Sequence, residues 1–102
     1  MRPAMIEDKY PIQNSANPAR IIEGEAVIIT PDDSQLHTLN EVGTFVWERA
    51  DGAHTVAQIV DELCRCFEVE RERAERDVSE FIARCQERNL MLLQDAAGPA
   101  QG

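Results

Sequence analysis

Residues 39–60 read Leu-Asn-Glu-Val-Gly-Thr-Phe-Val-Trp-Glu-Arg-Ala-Asp-Gly-Ala-His-Thr-Val-Ala-Gln-Ile-Val, and they punctuate two short amphipathic helices. Asn40 is a good N-cap, because its side-chain oxygen accepts from a free N–H of the first turn. Glu41 follows at the positive end of the helix dipole. Val42, Phe45, Val46 and Ala50 recur at spacings of three and four, which places them on one face. Asp51-Gly52 closes the helix, glycine supplying the left-handed residue beyond the last turn. Thr55-Val56-Ala57-Gln58 is a capping box that opens the second helix. Val56, Ile59, Val60, Leu63 and Phe67 form its apolar stripe. No catalytic run interrupts this stretch, which reads as a scaffold presenting a surface.

Upstream, Arg20-Ile21-Ile22 and 26–30 (Ala-Val-Ile-Ile-Thr) are rich in β-branched residues, and Glu23-Gly24 between them suits a tight hairpin turn. Pro31-Asp32-Asp33-Ser34 is a second turn, with proline placed to open it. Gln35, Leu36, His37, Thr38 and Leu39 make a third strand, so the three read as an antiparallel meander. A helix follows that strand at once, which predicts that one of its edges stays unpaired. Downstream, a third helix is expected over about 70–88, with Ala74, Val78, Phe81, Ile82 and Cys85 on its apolar face. Its surface alternates acid and base, and Glu72/Arg76 and Glu80/Arg84 have the acid-first spacing of four. Asn89 is a stop, and 90–93 (Leu-Met-Leu-Leu) folds back onto the core or adds a short strand. Residues 1–18, with three prolines and no sustained period, are expected to be an irregular arm. The domain proper then covers 19–94, and 95–102 form a flexible tail.

A chain of 102 residues with 43% hydrophobic content supports a single modest core, and a deep enclosed active site is not expected. No apolar run approaches the roughly 18 residues of a membrane span, and the N-terminus lacks a signal-peptide core. Three cysteines cannot all pair, which points to reduced thiols and a cytoplasmic location. The net charge is −9, and 21–64 carry nine acids against the single base Arg49. Such a front repels phosphate backbones and anionic lipid. Neither nucleic acid nor membrane is therefore an expected partner.

Candidate chemistry is sparse. Cys64 and Cys66, with Cys85 as a third ligand, invite a metal reading. Residues two apart on a helix diverge by roughly 200°, however, and structural zinc sites use wider pairs and four ligands. Cys64 and Cys85 are read as small buried hydrophobes and Cys66 as exposed. His37 and His54 have no nucleophile partner at a telling spacing, and no glycine-rich phosphate loop is present. No catalytic residue, metal or cofactor is expected. Trp47 is read as core rather than as a stacking platform, and Phe81 either fills the core or floors a groove.

The order of three strands then three helices, carrying Leu39-Asn40-Glu41-Val42-Gly43, Trp47-Glu48, Asp51-Gly52-Ala53-His54-Thr55-Val56 and Asp77-Val78-Ser79-Glu80-Phe81-Ile82, resembles the pyrroloquinoline quinone (PQQ) biosynthesis protein D family. The wider class is the recognition element of ribosomally made, modified peptides, and the likeness covers roughly 19–93. The resemblance implies an α+β, winged-helix-like domain with a three-stranded antiparallel sheet followed by three helices. It implies a non-catalytic chaperone that binds the leader of a precursor peptide and presents it to a modifying enzyme, often a radical S-adenosylmethionine enzyme. By position, the leader would add to Gln35, Leu36, His37, Thr38 and Leu39. Arg73, Ala74, Asp77, Val78, Phe81 and Arg84 of the third helix would form the facing wall. The chain departs from quinone-pathway members in ending its third helix with Asn89-Leu90-Met91 and in its Pro31–Ser34 turn. The broader recognition class is what the resemblance carries.

An open edge fits that role on physical grounds, since it offers backbone donors and acceptors with little sequence demand. The same edge would let two copies pair, so a homodimer is a further expectation left open. The alternative function is a winged-helix nucleic-acid-binding or regulatory domain. A DNA reader should gather Lys and Arg on one face, and this chain has one lysine.

Overall fold

The computed structural model describes residues 6–31 and 34–98. A 3-10 turn at Ile6–Asp8 precedes β1 (Tyr10–Gln13), β2 (Ala19–Ile22), β3 (Glu25–Thr30) and β4 (Gln35–Thr38). Then come α1 (Glu41–Glu48), α2 (Val56–Phe67), α3 (Arg71–Glu87) and β5 (Met91–Gln94). The fold is α+β, with a three-stranded antiparallel sheet ordered β2-β3-β4 against three helices. A second, two-stranded sheet joins β1 to β5.

Local chemistry sets the boundaries. Glu23 and Gly24 both have positive φ (53° and 82°), the geometry a two-residue hairpin needs to match strand twist. The turn between β3 and β4 includes Asp32 and Asp33, which lie outside the described residues. The Asn40 side chain accepts from the Gly43 N–H at 2.8 Å and starts α1. Thr55 and Gln58 exchange the reciprocal bonds of a capping box at 3.1 and 2.8 Å. Between these helices, the Asp51 carboxylate accepts from the Ala53 N–H at 2.8 Å and meets His54 Nδ1 at 2.9 Å. Burial opposes its ionisation, but the His54 and Ala53 bonds outweigh that and hold its pKa below the ordinary value.

The core lies between the sheet and the helices. Ala26 and Ile28 of β3 meet Val46, Trp47 and Ala50 of the first helical segment, all at most 3% exposed. Val56, Ile59, Val60 and Leu63 of α2, and Ala74, Val78, Ile82 and Cys85 of α3, complete it. Trp47 is thus a core residue. Phe45 is half-buried against the edge of this core, edge-on to Phe67 with ring centroids 5.4 Å apart, and Arg49 stacks on it at 3.6 Å.

Two expectations are corrected. The segment 1–18 is not an irregular arm over its described part. β1 pairs Tyr10 with Gln94 through Gln13 with Met91. Its other side is stitched to the α1–α2 junction, where the Gln13 N–H donates to Ala50 and the Gly52 N–H to Pro11. A four-residue strand containing proline, with adjacent rather than alternating buried residues Pro11 and Ile12, has no legible period. The ion pairs along α3 are Arg71 with Glu75 and Arg73 with Asp77, not the expected Glu72/Arg76 and Glu80/Arg84. Arg71 also pairs with Asp61 of α2, a tertiary partner that spacing along one helix cannot reveal. Asp95–Gly98 of the expected tail form neither helix nor strand, and the Gly98 N–H donates to the Gly52 carbonyl; 99–102 lie outside the described residues.

One side chain joins sheet to helix. The Leu39 N–H donates to the Ala26 carbonyl at 2.8 Å, continuing the β3–β4 ladder past β4. The Ala26 N–H turns instead to Thr44 Oγ1 at 2.9 Å, and that hydroxyl faces the Leu39 carbonyl at 3.3 Å. Thr44 is 4% exposed. Replacing it with valine leaves a buried N–H without a partner, which costs about 1–3 kcal/mol. Urea unfolding of Thr44→Val is expected to show that loss, and an unchanged midpoint would exclude the bridge as a structural element.

Candidate functional site

β4 is an edge strand, paired on one side only among the described residues. Its register sets Gln35 opposite Thr30, Leu36 opposite Ile29, His37 opposite Ile28 and Thr38 opposite Val27. An antiparallel ladder alternates, each residue directing both its N–H and its C=O to one neighbour. The Leu39–Ala26 bond fixes the phase, so Gln35, His37 and Leu39 bond inward to β3. Leu36 and Thr38 therefore direct their N–H and C=O groups to the open edge.

Side chains alternate in the same register. Gln35, His37 and Leu39 point toward α3, and between them and that helix lies an open cavity of about 480 Å³. Phe81, Arg84, Cys85 and Arg88 form its far wall, with Asn40 and Leu90 at its margins. A second cavity of about 330 Å³ adjoins it, sharing Asn40, Phe81 and Arg84. There Val42 and Gly43 of α1 face Arg73, Asp77 and Glu80 of α3. The two make one groove that follows β4 and then crosses the start of α1.

Of the residues expected at this site, Gln35, His37, Thr38, Leu39, Arg73, Asp77, Phe81 and Arg84 line the groove. Three do not. Ala74 and Val78 are fully buried in the core, because they lie on the face of α3 that packs inward. The Leu36 side chain is 68% exposed on the opposite face of the sheet, where it shares an apolar cavity with Ile22, Val27 and Ile29. Only its backbone reaches the open edge. Asn40, Val42, Gly43, Glu80, Cys85, Arg88 and Leu90 line the groove without having been expected there. For Arg88 a signal existed, since it lies four residues beyond Arg84 and hence on the same helical face. Nothing in sequence could bring Gly43 and Leu90 to it.

Gly43 matters for the shape of this groove. A Cβ there would stand 3.1 Å from a Phe81 ring carbon, 3.2 Å from Asn40 Oδ1 and 3.3 Å from the Leu39 Cβ. Gly43→Ala is expected to displace the Phe81 ring resonances, while stability changes by at most about 1 kcal/mol because alanine favours the helix. Unmoved Phe81 signals would refute the close approach. Burial pushes the Cys85 thiol up from 9.0 to about 11, against the positive charges of Arg84 and Arg88. Because the folded value is the higher one, stability is unaffected below about pH 9 and declines as pH rises toward 11. Cys85→Ala is expected to remove that part of the alkaline decline, and iodoacetamide near pH 8 should modify exposed Cys66 well before Cys85.

No group of three or more His, Cys, Asp or Glu side chains among the described residues is arranged to hold a metal ion. Likewise no helix among them is long and apolar enough to cross a membrane. Two solved structures share the fold. The chain superposes on TbiB1 in complex with the TbiA(beta) leader peptide with a TM-score of 0.72 and 24% identity, covering 78% of this chain and 93% of that one. It superposes on lasso peptide synthetase B1 complexed with the leader peptide with a TM-score of 0.74 and 20% identity, covering 81% and 98%. A comparison with curated proteins found no match. The profile of the family described as coenzyme PQQ synthesis protein D (PqqD) matches residues 25–91, from the start of β3 to the start of β5. With most of the chain, and all of its groove, inside that match, the protein belongs to the PqqD family.

Proposed function

We propose that the protein is a peptide-binding chaperone, without catalysis of its own, that captures the leader of a ribosomally made precursor by strand addition to β4. The observation that carries this reading is the open edge at Leu36 and Thr38, set beside a groove walled by α3. The two solved structures that share the fold each hold a leader peptide, which supports the same class of ligand here. The captured leader would be presented to a separate modifying enzyme, and the family resemblance makes a radical S-adenosylmethionine enzyme the leading class.

Magnitudes assign the work between edge and groove. Leu36 and Thr38 offer two N–H and two C=O groups, worth about 1 kcal/mol net each. About 4 kcal/mol corresponds to only millimolar affinity, before the entropy of ordering a peptide is counted. The edge therefore aligns a strand, and side chains entering the groove must supply the useful affinity. Selectivity belongs to the groove for the same reason.

The Thr38 N–H points away from β3, so Thr38→Pro removes an outward donor without breaking a bond of the native ladder. Fluorescence anisotropy with the leader of a precursor encoded beside this protein is expected to show binding about fivefold weaker for Thr38→Pro, the loss of about 1 kcal/mol. Circular dichroism should show the fold retained, since proline is tolerated on edge strands. Equal affinity of the two proteins would exclude strand addition at β4.

A further inference from the structure

The groove differs in charge from the molecule that holds it. The chain carries −9, yet the only permanently charged residues lining the larger cavity are Arg84 and Arg88. Both are exposed, and neither guanidinium has an ion-pair partner among the described residues. Lys9, Arg49, Arg71 and Arg73 are paired with carboxylates, whereas Arg20, Arg65 and Arg76 also lack an ion pair among the described residues but do not line this cavity. Two like charges one turn apart disfavour a helix by a few tenths of a kcal/mol. Attraction to the negative end of the α3 dipole offsets this, but the dipole does not require either side chain to line a cavity. Their field also reaches the cavity floor, where both arginines oppose the rise in the Cys85 pKa that burial causes.

The adjoining cavity is different. Arg73 lies 3.7 Å from Asp77, and Glu80 and the shared Arg84 line the same space, so two bases and two acids balance there. Phe81 stands where the two cavities meet, near Leu39. The larger cavity, which holds Gln35 and His37, is thus cationic, with Leu39 and Phe81 in its apolar part.

From this polarity we infer that the groove selects acidic leader strands, with Arg84 and Arg88 as the specificity-determining residues. The inference rests on strand addition at β4. In an antiparallel added strand, residues opposite Leu39, His37 and Gln35 face α3, and they occur at every second position in that order. The favoured leader carries an apolar side chain against Leu39 and Phe81. Asp or Glu follows two or four residues later, within reach of the two guanidinium groups. A carboxylate there meets planar donors suited to charge-assisted pairing. A basic residue in those positions would face two uncompensated positive charges.

A display library of peptides of about 12 residues, long enough to cross β4 and both cavities, tests this when selected on the intact chain. The expected result is enrichment of an apolar residue followed at the second or fourth position by Asp or Glu. Replacing that acid by its amide should weaken binding about two- to fivefold at low salt, and less at high salt. The exposed pair substituted as R84Q/R88Q should keep its circular dichroism, lose the acidic preference and retain the apolar one. R84E/R88E should turn the preference basic. Enriched peptides that lose affinity for Thr38→Pro, yet show no acidic preference or keep it in R84Q/R88Q, would overturn this inference and leave strand addition standing. Peptides indifferent to Thr38→Pro, or no enrichment over the starting library, would overturn strand addition and the charge rule with it.

Discussion

The hydroxyl of Thr44 stands between the Ala26 N–H and the Leu39 carbonyl, and the geometry of the groove follows from that insertion. Without it, the β3–β4 ladder would continue through a reciprocal bond between Ala26 and Leu39. With it, the ladder ends, the backbone turns at Asn40 and α1 begins at Glu41. The strand is therefore short and its edge stops at a fixed place. α1 leaves at an angle that brings Gly43 against Phe81 of α3. One buried hydroxyl thus couples the length of an edge strand to the width of the groove beside it.

An exposed strand edge is ordinarily a hazard, because any extended segment can pair with it. This protein limits the hazard without closing the edge. The open portion offers only the backbone groups of Leu36 and Thr38, too few to bind a strand tightly by themselves. In the proposed strand addition, the α3 wall would make binding depend on what the incoming side chains are. A short edge beside a selective groove discriminates better than a long one, since less of the binding energy is indifferent to sequence. On the proposed reading the acidic surroundings would act in the same sense: nine acids in 21–64 disfavour an anionic strand, while Arg84 and Arg88 would attract one to the groove.

α3 serves both sides of this arrangement. Ala74, Val78, Ile82 and Cys85 bury one face in the core, while Phe81, Arg84 and Arg88 offer the adjacent face to the groove. The wall is thus the adjacent face of a helix anchored in the core. β1 and β5 add to that anchoring by tying the N-terminal segment to the end of α3, where the side chains of Asn14 and Asn17 both donate to the Asn89 carbonyl. A groove built in this way is preformed, which lowers the ordering cost that a bound peptide must overcome.

The sequence by itself determined the helices, the β2–β3 hairpin and the edge character of β4. Local contacts set the Asn40 and Thr55 caps and the Glu23-Gly24 turn, whereas α1 ends at Glu48 with Arg49 as its cap, short of the expected Asp51-Gly52 stop. The sequence also put Phe81 at the margin of its helix stripe, where the groove runs. What it left undetermined were features made by residues distant in the chain. β1 was invisible because Pro11 and Ile12 are buried side by side through pairing with β5 and the Asp51-Gly52 junction. Ala74 and Val78 were misplaced because an apolar stripe shows that a face is buried without showing where the groove begins. The phase of β4, which sends Leu36 outward and His37 inward, was decided by the Leu39–Ala26 bond. Tertiary contact alone fixes such a phase, since a slip of one residue satisfies the backbone equally well and reverses every side chain.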